Sequence, residues 1–162
     1  MQRKLEGKTA IVTGGARGVG RGIALHLASL GAAVLVADRD FAAASEFGEE
    51  LKSGPVDQEI ASLGGRAVRF EGDLADSVSA RAMASHCAEA FGGIDILVNN
   101  AGVAGADKPT DELTEAEWDA VQAVNVKGVF FGVKHVIPHM RHAGGGSIIN
   151  LSSIYGLVSA PD

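Results

Sequence analysis

The sequence predicts an α/β domain, a doubly wound parallel sheet of five strands with helices on both faces. Three observations carry that expectation. Short β-branched apolar runs alternate with stretches of helical periodicity. The strands read as continuous apolar runs, as strands covered on both faces do, and alternating strands and helices imply right-handed crossovers between parallel strands. Glycine, at 22 of 162 residues against a usual share of roughly 7%, clusters where strands give way to helices.

Thr9 to Thr13 is the first strand, a β-branched run that ends in glycines. Residues 18–30 then show helical spacing through Val19, Ile23, Leu27 and Leu30, and Gly31 closes the helix. Residues 34–36 form a second buried-type strand and residues 67–70 a third. Between them lies a helical stretch interrupted at Gly48 and at Ser53-Gly54-Pro55. After Asp76 a helix runs to about Phe91, and residues 94–98 give a fourth strand that stops at Asn99-Asn100. Thr114-Glu115-Ala116-Glu117 has the form of a capping box and opens a long helix to about His142. The turn Gly144-Gly145-Gly146 leads into the fifth strand, residues 147–151. No internal repeat or low-complexity linker divides the chain, so residues 1–162 read as one domain.

Composition excludes several classes of function. A formal net charge of -6 and a pI near 5.3 argue against a broad phosphate-backbone footprint, and so against nucleic acid as a partner. With 46% hydrophobic residues, 21% charged and a mean hydropathy of +0.16, the chain belongs with packed globular proteins. Cys87 is the only cysteine, which rules out an internal disulfide or a multi-cysteine metal site and reads as a small apolar residue on a helix. The basic start MQRKLEGK is followed by only Ala10-Ile11-Val12 before glycines intervene, too short for a signal-peptide core. No run approaches the roughly 20 apolar residues of a membrane helix, so the expected location is the cytoplasm.

In a doubly wound sheet ligands bind beyond the carboxyl ends of the strands, where the strand order reverses. The loops after the strands are therefore where chemistry is sought. Thr13 to Gly20 reads TGGARGVG, which sets Gly14, Gly18, Val19 and Gly20 between the first strand and the first helix. Glycines so spaced let the backbone turn tightly, approach a pyrophosphate without Cβ obstruction, and aim helix N-terminal amides at its charge. Asp38 follows the second strand, 20 positions after Gly18, where a carboxylate would accept hydrogen bonds from an adenosine ribose. A 2′-phosphate there would meet a negative charge, which favours NAD over NADP as cofactor. Arg17 and Arg39 offer positive charge nearby and pull the other way.

Five short motifs in order, TGGARGVG, Gly72-Asp73-Leu74, Asn99-Asn100-Ala101-Gly102, Asn125 and Ile149-Asn150-Leu151-Ser152-Ser153, make the chain resemble the short-chain dehydrogenase/reductase family over essentially its whole length. The resemblance implies the N-terminal portion of a Rossmann-type oxidoreductase that moves a hydride between nicotinamide and a secondary alcohol or ketone. It implies that Asp73 and Leu74 flank the adenine and that Asn100, Ala101 and Gly102 line the cofactor beyond the fourth strand. Ser153 would hydrogen-bond the substrate carbonyl or hydroxyl, with Ser152 its structural neighbour. Intact relatives are commonly oligomers, so a homo-oligomer is expected.

Asn125 stands out on its own: it lies in the middle of an apolar stripe of Trp118, Val121, Val129, Val133, Val136 and Met140, where an unpaired buried amide would cost about 1–3 kcal/mol. It either ties the helix to a neighbouring backbone or, as the resemblance implies, holds a water of a proton relay. In the family a tyrosine follows the serine by about a dozen residues, with a lysine four positions beyond it that lowers its pKa. That pair is not in this sequence. Tyr155, the only tyrosine, lies two residues after Ser153, and position 159 is serine, so it reads as a loop aromatic. The polypeptide is accordingly expected to hold cofactor without turnover, and the rival expectation is a non-catalytic dinucleotide-binding or interaction protein.

His135, His139 and His142 share a helix face, but Pro138 disturbs that turn and no carboxylate partner is fixed, so no metal is expected. They read as a helix end with helpful positive character, as Asp111, Glu112, Glu115 and Glu117 read as charge at a helix start. A sheet that stops at residues 147–151 would leave an apolar edge prone to pairing with another chain.

Overall fold

The structure, a computed structural model, describes residues 3–42 and 54–158. In chain order the elements are β1 (Thr9–Thr13), α1 (Gly18–Ser29), β2 (Ala33–Asp38), α2 (Val56–Ser62), β3 (Arg66–Glu71), α3 (Ser77–Phe91), β4 (Ile96–Asn99), α4 (Glu115–Gln122), α5 (Val129–His142) and β5 (Ser147–Asn150). The five strands are parallel, in the order β3-β2-β1-β4-β5. The chain winds outward from β1 to β3, then returns to place β4 on the other flank of β1. The order therefore reverses between β1 and β4, and the carboxyl ends of those strands open the crevice.

Side chains along a strand point alternately to the two faces, and both faces of the three central strands β1, β2 and β4 are covered, whereas the edge strands β3 and β5 remain partly exposed, unlike the double cover expected of every strand. Ala10 and Val12 of β1 and Val34 and Val36 of β2 pack with Ala24 and Ala28 of α1 and Val56 and Ile60 of α2. Ile11, Leu35 and Leu97 face the other way, against Met83, Ala84 and Cys87 of α3 and Val136 and Met140 of α5. That double cover is why β1 is buried along its whole length. Cys87 sits in the second layer, and burial pushes its thiol up to about 12, so it is no nucleophile.

The helix boundaries follow their caps. The Asp76 carboxylate accepts hydrogen bonds from the amides of Val78 and Ser79 to start α3, and Gly92, at φ 88°, ends it in the left-handed region. Thr114 and Glu117 form the capping box that starts α4. Hydrogen bonds from Lys108 and Thr114 hold the Glu117 carboxyl down at about 2. His135 pairs its Nε2 with Ser77 Oγ at 3.0 Å, and burial, with Lys134 and Arg81 nearby, lowers its pKa from the ordinary histidine value.

Two further sequence expectations are corrected. The fourth strand begins at Ile96, two residues later than the apolar run, since pairing with β1 and β5 starts there; Asp95 before it bonds Thr9 and Ser147 through its backbone, and its carboxylate accepts from Lys8 Nζ (2.8 Å) and the Thr9 amide (2.9 Å). The long helix is not uniform: residues Ala123–Gly128 form a π-helical turn between α4 and α5. That turn breaks the three- and four-residue spacing on which the apolar stripe was drawn. Val136 and Met140 are buried as the stripe requires, but Trp118 is 57% exposed and Asn125 is exposed rather than buried. Of the expected interruption, Gly48 and Ser53 lie outside the described residues, while Gly54, at φ 73°, and Pro55 lead into α2.

No described helix is long and apolar enough to cross a membrane. β5 is an edge strand, and Ile149 on it is 46% exposed. The 162-residue polypeptide is therefore expected to self-associate through this edge. Sedimentation at high concentration checks it: a monomer throughout contradicts the expectation.

Candidate functional site

The first turn and the loop after β4 are built as one unit. Thr13 Oγ1 donates to the Val98 carbonyl (3.3 Å) and accepts the amides of Asn100 and Ala101, each at 3.0 Å. The Asn100 side chain answers by donating Nδ2 to the carbonyls of Thr13 (2.9 Å) and Gly14 (3.0 Å). The carbonyls of Thr13 and Gly14 are thereby occupied by the Asn100 amide.

Glycine is required here by proximity. A Cβ on Gly14, at φ 62°, would come within 2.8 Å of Ala101 Cα, and one on Gly20 would collide with the Gly14 carbonyl and Asn100 Nδ2. Gly18 has φ 55°, where other residues are strained. These absent side chains are what a bulky diphosphate needs at a helix N-terminus, so the cradle fits a dinucleotide.

The opposite wall is Asp38 at the end of β2. Its Oδ2 accepts the Ala16 amide at 2.9 Å, and its Oδ1 accepts the amides of Arg39 (2.8 Å) and Asp40 (3.3 Å). Three backbone donors fix the carboxylate and tie it to the first turn.

A cavity of about 300 Å³ joins these elements. It is lined by Gly14, Arg17, Gly18, Val19 and Gly20 from the first turn, by Asp38 and Arg39 after β2, and by Asp73 and Leu74 after β3. Asn100, Ala101 and Gly102 line it after β4. Every residue that the sequence marks for cofactor thus borders one space. The sequence reading missed Thr13, Asp40 and Asn99 in the same wall, and Val124, Gly128 and Val129 where the π turn brings the helix alongside. A hydroxyl at a strand end beside two glycines is the signal that could have found Thr13; nothing in the sequence marks the π turn.

Asn125 and Ser153 stand apart from that lining. Asn125 is exposed, yet both ends of its amide are used: Oδ1 accepts the Val103 amide and Nδ2 donates to the Val103 carbonyl, each at 2.9 Å. The structure thus makes the backbone tie, onto a residue that borders the cavity. Ser153 is exposed, with Oγ accepting the Tyr155 amide at 3.2 Å to start a short 3-10 turn, Ile154–Gly156. Tyr155 is 64% exposed.

Comparison with known proteins identifies the family and fold that carry this site. A family model described as short chain dehydrogenase matches residues 8–162. Cyclohexanol dehydrogenase of Acinetobacter sp. (strain SE19) is 34% identical over 158 residues, which cover 98% of this chain and 59% of that protein. The 3-oxoacyl-(acyl-carrier-protein) reductase of Staphylococcus aureus is 39% identical over 154 residues, 95% of this chain and 59% of that protein. Among solved structures, a short-chain type dehydrogenase/reductase from Mycobacterium marinum superimposes with a TM-score of 0.87 at 32% identity, covering 99% of this chain and 61% of that one. A metagenomic short-chain oxidoreductase in complex with NADP gives 0.81 at 39% identity, with 93% and 64% covered. The chain spans 59% of the length of those two curated relatives.

Proposed function

Since the chain belongs to the short-chain dehydrogenase family, we propose that it is the cofactor-holding portion of an enzyme that moves a hydride between NAD and a secondary alcohol or ketone. The observation that carries this reading is the clasp of Thr13, Gly14 and Asn100, with Gly20 pressed against it and Asp38 fixed at the far wall. Bound nicotinamide dinucleotide supplies the hydride acceptor or donor; the residues of this chain bind and orient it.

The glycine turn receives the pyrophosphate at the N-terminus of α1, where the helix dipole favours an anion. Asp73 and Leu74 flank the adenine. Asp38 accepts hydrogen bonds from the adenosine ribose, and its negative charge repels a 2′-phosphate, which gives NAD its preference over NADP. Asn100, Ala101 and Gly102 guide the cofactor toward the end of β4. Ser153 hydrogen-bonds the substrate oxygen. Asn125 sets the loop at Val103 through both ends of its amide, and in this reading the second lone pair of its Oδ1 holds a water of the proton relay. Proton transfer itself is assigned to no residue of this chain, because Tyr155 has serine four positions later, not lysine. The polypeptide of residues 1–162 is therefore proposed to bind cofactor without turnover. A small alcohol or ketone as substrate, a homo-oligomeric assembly and a cytoplasmic location complete the proposal.

Titration with NADH and NADPH, followed through nicotinamide fluorescence, tests it. NADH is expected to bind at least tenfold more tightly than NADPH, the scale of one hydrogen bond to a charged group, about 1.5–3 kcal/mol. In Asp38→Ala the preference should shrink to within about threefold. Binding of neither nucleotide overturns the whole reading; tighter binding of NADPH by the unaltered chain overturns the preference alone.

A further inference from the structure

Adjacent asparagines do two different jobs at the end of β4. Asn100 clasps the phosphate turn through Thr13 and Gly14. Asn99, only 4% exposed and bordering the cavity, turns the other way. Its Nδ2 donates to Asn150 Oδ1 at 2.8 Å, and its carbonyl accepts the Leu151 amide at 2.9 Å. Asn99 and Asn150 face each other at the last rung of the β4–β5 ladder. The space for the Asn99 amide is kept by the helix behind it, since a Cβ on Gly132 of α5 would lie 2.9 Å from Asn99 Oδ1.

Among the described residues β5 has four residues and one strand neighbour, so few backbone bonds hold its exit. A side-chain bond across the final rung adds an anchor where the chain leaves for Ser153, three residues on. We propose that Asn99 and Asn150 form a positioning pair that couples the occupied cofactor cavity to the loop bearing Ser153, so that bound dinucleotide and substrate-side serine are set by one hydrogen-bonded chain. This rests on the cofactor reading above. Neither asparagine reacts; both act through the placement of β5.

The test compares the unaltered chain with Asn150→Ala, which removes the acceptor, and Asn150→Asp, which keeps one. Asn150 is exposed, so neither change opens a cavity. Amide exchange at Leu151 is measured with and without saturating NADH and compared with that of Gly145, whose amide bonds the Met140 carbonyl at 2.8 Å before the start of β5, at the end of the strand away from the cavity. In the unaltered chain NADH should slow Leu151 at least tenfold more than Gly145, up to the slowing of the core amides that open only with the whole domain. Asn150→Ala should lose that excess while its Kd for NADH stays within threefold, and Asn150→Asp should restore it. An excess that persists in Asn150→Ala, or is absent from the unaltered chain although NADH binds, overturns the coupling alone. No NADH binding by the unaltered chain overturns the cofactor reading, and the coupling with it.

Discussion

Gly20→Ala is expected to abolish measurable binding of NADH, with a loss of at least a hundredfold in affinity. The new methyl would collide with the Gly14 carbonyl and Asn100 Nδ2, two members of the clasp that shapes the phosphate turn. Relief must come from moving backbone, since the Gly14 carbonyl is itself main chain and is held by Asn100. A displacement near 1 Å in a site that positions its ligand can cost about a hundredfold. Gly22→Ala is the control on the same helix: a Cβ there meets nothing within 4 Å. It should keep full affinity and add about 0.5–1 kcal/mol of stability, the usual gain from replacing glycine inside a helix. Parallel NADH titrations and thermal melts separate the two. Retained affinity in a folded Gly20→Ala would remove the clasp from the binding site.

Arg21→Met should be the most destabilising single change among the ion pairs described. The Arg21 side chain is only 11% exposed and pairs with Glu59 of α2, while its Nη2 also donates to the Gly54 carbonyl at 2.9 Å. Methionine leaves Glu59, 21% exposed, without its cation. Removing one partner of a buried pair costs about 3–5 kcal/mol. The lower end applies here, because Glu59 keeps some water and Nη1 of Arg21 is already buried with no partner among the described residues. About 3 kcal/mol in a domain of this size lowers Tm by roughly 6–12 °C. Adding Glu59→Gln should recover more than half of the loss, because the stranded charge is then gone. A drop below about 2 °C in Arg21→Met would show that the pair is solvated in practice.

Much of this domain is legible in the sequence because β1 and β2 are buried on both faces and therefore spell unbroken apolar runs. The cavity wall is legible because its glycines are demanded by local geometry: TGGARGVG can be read without knowing what lies opposite. The π turn was not legible, since nothing in Ala123-Val124-Asn125-Val126-Lys127-Gly128 departs from helical composition. Its effect on the stripe could not be foreseen either. Burial in that stripe does not hold for Asn125, which is exposed, and its amide is paired with the backbone of Val103, 22 residues earlier. Asn99 was visible only as a member of a tetrapeptide; its pairing with Asn150 depends on register between strands, which single-strand patterns do not encode.

The place of β4 beside β1 also bears on how the chain reaches this state. Asn100 closes on Gly14 across 86 residues, so the binding turn is completed only by a long-range encounter. Contacts of that span are entropically dear and slow to form. At about 5–20 residues per second of synthesis, the 28 residues from the end of β3 to the end of β4 take roughly 1–6 s to emerge. During that interval β1 has β2 and not β4 to pair with, one of its flanks stays bare, and the nascent chain is open to wrong partners until β4 emerges to seal it.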